Sequence, residues 1–284
     1  MDQMKKSINA WTIPAAYTFE ETLKAAKEAG FDAIELNLDK ANNGHSFTLE
    51  TTEEEIKAVK KLADDIGIKI CSVSSSLHNG IWSYTEQEKI AYARSVLTQQ
   101  LKIAQILDAG AILLVPGGMP DGKLISESRA NSMKNLKDAL PEIEASGIKV
   151  GLENVWNGFF LSPYDMVSFI DELGSASVGA YFDLGNMVAF SDTAHWADIL
   201  ATRTVRIHIK DYKRNGHLNS GGVWCQLLEG DVDYKRAMAI LKQKGFDGYL
   251  TAEVSKSDPN MSDMDYFKSI VAAENIIASY YDEA

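Results

Sequence analysis

The phrase Gly30-Phe-Asp-Ala-Ile-Glu35 near the start of the chain is answered by Gly245-Phe-Asp-Gly-Tyr-Leu250 near its end. In both, a glycine closes a helix-like run, and an apolar strand-like run begins a few residues later. Glycine accepts the left-handed conformation in which helices commonly end, so each phrase reads as a helix passing into a strand. The same transition recurs at Ile66-Gly67 before Ile68-Lys-Ile-Cys-Ser-Val73, at Asp108-Ala-Gly110 before Ala111–Val115, and at Ser146-Gly147 before Ile148–Leu152. The repeat is a structural unit of helix and strand, not a short-period solenoid.

Helix starts are marked as well. Thr18-x-x-Glu21, Thr52-x-x-Glu55 and Thr85-x-x-Glu88 have the spacing of capping boxes, in which each side chain satisfies the other's free backbone N–H. Ser162-Pro163 sets a cap residue before a proline at the first helical position, and Asp233 is placed to cap the helix that follows it. In the second helix Ile56, Val59, Leu62, Ala63 and Ile66 form one apolar stripe. Working outward from these marks gives strands near 6–11, 33–38, 68–75, 111–115, 148–153, 178–183, 205–210 and 249–254. Helices alternate with them near 19–29, 52–66, 86–108, 126–146, 163–173, 194–202, 233–244 and 263–281. This α/β alternation, with no break in composition, predicts a single (β/α)8 TIM barrel spanning residues 1–284. A doubly wound open sheet is the alternative, but no Gly-x-Gly-x-x-Gly follows the first strand.

Composition narrows the function classes. The formal net charge of −12 opposes a nucleic-acid partner or an anionic membrane, while leaving room for a local basic pocket. No apolar run approaches the roughly 20 residues needed to span a bilayer, and Met1–Lys6 shows no signal pattern. Cys71 and Cys225 do not make a disulfide framework, so a reducing cytoplasm is the expected location.

Four strand-like runs carry an acidic or imidazole residue at or near their ends. They are Glu153 in Val150-Gly-Leu-Glu-Asn154, Asp183 in Ala180-Tyr-Phe-Asp-Leu-Gly-Asn186, His208 in Val205-Arg-Ile-His-Ile-Lys-Asp211 and Glu253 in Tyr249-Leu-Thr-Ala-Glu-Val254. In a parallel barrel the C-terminal strand ends surround one mouth, so the four side chains are expected to converge there. Three carboxylates and one imidazole suit a single Mn²⁺, Mg²⁺ or Co²⁺ ion better than a structural Zn²⁺. Each residue also has a plainer reading: a lone carboxylate at a strand end caps a helix or pairs with a lysine, and a lone histidine is more often a hydrogen-bonded core residue.

These phrases, in this order and each on its own predicted strand, together with Leu228-Glu-Gly-Asp-Val-Asp-Tyr234, resemble the xylose isomerase-like barrel superfamily. Within it they are most similar to the sugar phosphate isomerase/epimerase branch, which holds ketose 3-epimerases, L-xylulose-5-phosphate 3-epimerase and hexulose-6-phosphate isomerases. The resemblance implies one divalent ion, Mn²⁺ foremost and Zn²⁺ among the others, held by Glu153, Asp183, His208 and Glu253. It implies a small sugar or sugar phosphate as substrate, and a homodimer or tetramer. In the ketose 3-epimerases the two glutamates are also the acid/base pair around a cis-enediolate. A shuttle between C1 and C2, giving aldose–ketose isomerisation, stays open at this point, as does a dehydratase of the inosose type. An abasic-site endonuclease of the same superfamily fits poorly, because that enzyme uses several zinc ions and many histidines where this chain has five histidines in all. An inert sugar-binding protein would have no need of paired bases.

Some relatives place a histidine three residues after the aspartate ligand as a substrate contact; here that position is Asn186, which can donate to a hydroxyl but cannot act as an acid. His78, just past the third strand, is a further candidate substrate contact, and Trp11 and Trp156 are candidate walls of a sugar pocket. Lys210 and Asp211 either support the ligands and substrate or simply end their strand. Glu35, at the second strand, either hydrogen-bonds inside the barrel mouth or pairs with a lysine, the plainer reading and the one expected.

Overall fold

The computed structural model describes residues 4–40, 43–120 and 122–284. Its strands are β1 (Lys5–Asn9), β2 (Ala33–Leu38), β3 (Ser46–Phe47), β4 (Lys69–Ser74), β5 (Ala111–Leu114), β6 (Lys149–Glu153), β7 (Val178–Asp183), β8 (Thr204–Ile209), β9 (Asp211–Arg214), β10 (Gly222–Cys225) and β11 (Tyr249–Ala252). The helices are α1 (Phe19–Ala29), α2 (Glu53–Ile66), α3 (Gln87–Leu107), α4 (Ile125–Ser146), α5 (Pro163–Leu173), α6 (Thr193–Leu200), α7 (Tyr234–Gln243) and α8 (Asp263–Asp282).

Pairing runs β1-β2-β4-β5-β6-β7-β8-β11 and returns to β1, which bonds in parallel to both β2 and β11. The expected (β/α)8 barrel is therefore closed, with no free edge. Two features were not foreseen. The short β3 adds in parallel to β2, and β9 and β10 form an antiparallel hairpin where the sequence reads as a loop.

Local chemistry explains the boundaries. Thr18, Thr52 and Ser162 each accept the third backbone N–H of the helix they precede, while Glu21, Glu55 and Asp165 reach back to the cap. The box expected at Thr85 does not form: α3 starts after Glu86, whose own carboxylate accepts from the Thr85 N–H. Asp233 caps α7 by accepting from the Arg236 N–H at 3.1 Å. Gly30 and Gly67 end α1 and α2 at φ 103° and 76°, the region a side chain disfavours. At α3 the helix ends on Asp108 in αL, and Gly110 two residues on takes a positive φ of 72° as well.

One large apolar cluster fills the space between barrel and helices, with Ile56, Val59 and Ala63 of the α2 stripe fully buried in it. A second, small cluster of Leu113, Val115 and Tyr181 lies apart from it. Tyr181 of β7 and His208 of β8 both reach Glu35 of β2, and neither strand neighbours β2, so these contacts cross the barrel interior. The upper interior is thus polar, and that polarity prepares the mouth.

Candidate metal centre

Glu153 and Asp183 are the last residues of β6 and β7, His208 is the penultimate residue of β8, and Glu253 follows β11 directly. Asp183 and His208 face each other in register across β7 and β8. One ligand atom from each of the four residues falls within 4.8 Å of every other, and among the described residues this is the cluster able to hold an ion. All but Glu253 are buried.

Each side chain is aimed. Asp183 Oδ1 accepts from the backbone N–H groups of Gly185 and Asn186, both at 2.8 Å, which turns Oδ2 toward the site. Asn154 clamps the same strand end, accepting from the Asp183 N–H and donating to its carbonyl, each at 2.9 Å. His208 Nε2 is 2.6 Å from Glu35 Oε1, which leaves Nδ1 pointing at Glu253 Oε2 (3.0 Å) and Glu153 Oε1 (3.4 Å). Glu35 is fully buried and is also held by Asn9, Ser72 and Tyr181. It pairs with the histidine rather than with a lysine, the arrangement that orients metal-ligating imidazoles.

Two buried atoms of this cluster, Asp183 Oδ2 and His208 Nδ1, have no hydrogen-bond partner. The Lys210 ammonium is 3.0 Å from Asp183 Oδ2 and 2.9 Å from Glu253 Oε2, close enough for ion pairs, although neither contact is aligned as a hydrogen bond. Orphaned buried donors and acceptors are costly unless something satisfies them. A divalent ion taking Asp183 Oδ2, His208 Nδ1 and the two glutamates satisfies them, so the residues present fit such a group.

The electrostatics divide the two glutamates. Burial raises the Glu153 carboxyl, the Glu253 charge adds to this, and His208 and Lys210 oppose it. Burial acts in the same direction on Glu253, but the Lys210 charge and the His208 contact outweigh it and hold that carboxyl low. Burial likewise lifts Asp183 despite Lys210. Burial alone would lower His208; the Glu35 charge and contacts with three glutamates reverse this and raise it. Burial would raise Glu35, yet His208, Ser72 and Tyr181 hold it down to about 2.

Around this centre the structure sorts the remaining candidates. Lys210 and Glu253 line a cavity of about 350 Å³ together with Trp224, Gln226, Ser255 and Lys256. Trp156 is half exposed, its Nε1–H donates to the Asn186 carbonyl, and its ring packs on Trp224 (centroids 5.0 Å apart) and on Tyr212 (5.4 Å). Asn186 is buried, with its amide donating to the Asn154 carbonyl at 2.9 Å. Trp11 lines two neighbouring clefts, one of which shares Val254, Ser255 and Lys256 with this cavity, and its Nε1–H donates to Asp39 at 2.6 Å.

Two more of the candidates have their polar atoms engaged within the protein. His78 is fully buried, with Nε2 on Gln100 (2.8 Å) and Nδ1 accepting from Trp82 (3.1 Å). Burial lowers it to about 4, and both ring nitrogens are engaged within the protein. Asp211 borders the cavity, but its carboxylate accepts from the backbone N–H groups of Tyr212, Gly230 and Val232. Through these contacts its oxygens organise the loop that follows the hairpin. Trp224 was not singled out from the sequence, because its place at the site depends on the unforeseen hairpin.

A closed (β/α)8 barrel with an ion-ready cluster of three carboxylates and one imidazole at its C-terminal mouth defines a class of barrel proteins. Residues 23–270 match the family model described as xylose isomerase-like TIM barrel, and the chain belongs to that family. It is similar to L-ribulose-5-phosphate 3-epimerase UlaE of Shigella flexneri, 23% identical over 248 residues that cover 87% of this chain and 85% of the relative. Among solved structures, L-ribulose 3-epimerase superposes with a TM-score of 0.79 at 18% identity, covering 99% of this chain and 96% of that one. D-psicose 3-epimerase from Clostridium cellulolyticum H10, solved with D-tagatose, superposes at 0.78 with 15% identity, covering 98% and 99%. At these identities the structural likeness establishes the fold.

Proposed function

We propose that the protein is an isomerase, a divalent-metal-dependent 3-epimerase of a pentulose or hexulose, free or phosphorylated. The observation that carries this reading is the placement of Glu153 and Glu253. In the barrel order β6-β7-β8-β11 they flank the pair of strands that bears Asp183 and His208, so two carboxylates enter one centre from two sides. A carbon acid beside a carbonyl needs a base on one face and a proton donor on the other if its configuration is to invert. The names of the three similar proteins described above, 3-epimerases of ketoses or a ketose phosphate, support the same reaction class.

Glu153, Asp183, His208 and Glu253 would hold the ion, Mn²⁺ foremost. When bound, it supplies positive charge beside the C2 oxygen, where negative charge develops. Glu35 keeps the His208 Nδ1 lone pair directed inward. One glutamate takes the C3 proton, and the other delivers a proton to the opposite face of the resulting enediolate. The Trp156–Trp224 wall gives an apolar face suited to one ring or short chain rather than to a polymer.

The test is a panel of pentuloses and hexuloses, each with and without a terminal phosphate. Each is incubated with the Mn²⁺-loaded protein and analysed for its C3 epimer. The expected result is conversion of at least one member, abolished by exhaustive chelation and restored by Mn²⁺ or Co²⁺. Aldose formation in place of the epimer would replace this reading with a 1,2-isomerase, and activity that survives chelation would remove the metal centre.

A further inference from the structure

Lys210 occupies the oxygens that an ion would need. Asp183 has one of its two oxygens committed to backbone N–H groups, so Oδ2 is the one left for a cation, and the Lys210 ammonium stands 3.0 Å from it. The same ammonium is 2.9 Å from Glu253 Oε2, which is itself 3.0 Å from His208 Nδ1. These are the only carboxylates within ion-pair distance of Lys210 among the described residues. A divalent ion and an ammonium on the same two oxygens, a few ångströms apart at a largely buried site, repel.

The lysine has somewhere to go. Its stem runs past Gly185, where an added Cβ would stand 2.5 Å from the Lys210 Cγ, so the missing side chain leaves the stem its path. Its ammonium is 5.6 Å from the centroid of the half-exposed Trp224 ring, and both residues line the 350 Å³ cavity. An indole face stabilises a cation that has left its carboxylates.

We propose that Lys210 is an exchangeable counter-ion, which holds Asp183 and Glu253 together in the ion-free protein and gives them up when a divalent ion enters. The inference rests on the metal-centre reading above. It differs from the role usual for a residue touching metal ligands, which is to orient them, and whose loss weakens metal affinity about 10- to 100-fold. An exchanging counter-ion competes with the metal, so its loss has the opposite sign.

The experiment measures Mn²⁺ affinity by competition with a chromophoric chelator, starting from the Mn²⁺-loaded full chain, in the wild type and in Lys210→Met, Lys210→Gln and Lys210→Arg. Starting from the loaded form and including the polar Gln variant keep the comparison open if the metal-free Met variant does not fold. The expected result is binding tighter by about tenfold or more in the Met and Gln variants, with the Arg variant close to the wild type. The metal-free Met and Gln variants should also melt below the metal-free wild type. Unchanged or weaker binding in both neutral variants would overturn the exchange. Failure of the wild type itself to bind Mn²⁺ would remove the metal-centre reading and this inference with it.

Discussion

Glu35 is remote in sequence from all four residues of the cluster, yet its carboxylate meets His208 Nε2 across the barrel and sets the direction of the ring. Replacing it with glutamine keeps the size and removes the charge that Nε2–H points to. Mn²⁺ affinity of Glu35→Gln should fall about 10- to 100-fold, measured by chelator competition; an unchanged affinity would mean that His208 is oriented by packing alone. The same residue marks where sequence reasoning stopped. Glu153, Asp183, His208 and Glu253 were legible because each closes an apolar run of its own, and strand ends converge in a barrel. Glu35 also sits on a strand, but its partners come from β1, β4, β7 and β8, and only the closed barrel brings them together. His78 shows the converse: its position past a strand end suggests the mouth, while Gln100 of α3 and Trp82 hold its ring in the core.

At the scale of elements, β6 and β7 are coupled through a glycine. A Cβ at Gly151 would lie 2.8 Å from Tyr181 Cδ2 and 2.9 Å from its Cβ, so Gly151→Ala must move the tyrosine. Tyr181 in turn donates to Glu35. Gly151→Ala should therefore destabilise the fold by about 1–3 kcal/mol, the usual scale for overpacking, and weaken Mn²⁺ binding as well. Urea denaturation and metal titration of the same sample check both effects, and loss of stability with unaltered affinity would break the proposed link from β6 through β7 to the site. The regular elements were readable from the sequence because capping residues and helix-ending glycines act locally, within a turn of their position. The β9–β10 hairpin was not. Its strands are four residues each, β10 is largely solvent-exposed, and Asp211 holds the following loop through backbone N–H groups that no periodicity marks.

For the whole molecule, the family assignment, the closed barrel and the acidic mouth agree on one state that an ion completes. Three carboxylates gathered within a few ångströms repel one another, so the folded form should gain from metal in bulk stability as well as in activity. At free Mn²⁺ about 100 times Kd, linkage gives about 2.7 kcal/mol, which for a domain of this size is a rise of several degrees in Tm. Thermal melts with and without chelator measure it, and a Tm indifferent to millimolar Mn²⁺ would speak against a metal centre in the folded chain. The net charge of −12 is consistent with a small neutral or singly esterified sugar as partner, since the acidic surface leaves recognition to the local chemistry of the mouth.

Glu153 and Glu253 are proposed to work as a pair on one carbon, and solvent exchange reads this directly. The Mn²⁺-loaded protein is incubated in D₂O with a ketose it converts, and the position of deuterium is followed by NMR in the wild type, Glu153→Gln and Glu253→Gln. The wild type should place deuterium at C3. Both variants should lose net epimerisation by a factor of about 10² or more, while each still exchanges the C3 proton of one epimer and not the other. Deuterium confined to C1 or C2 in the wild type, or full epimerisation by either variant, would contradict the account.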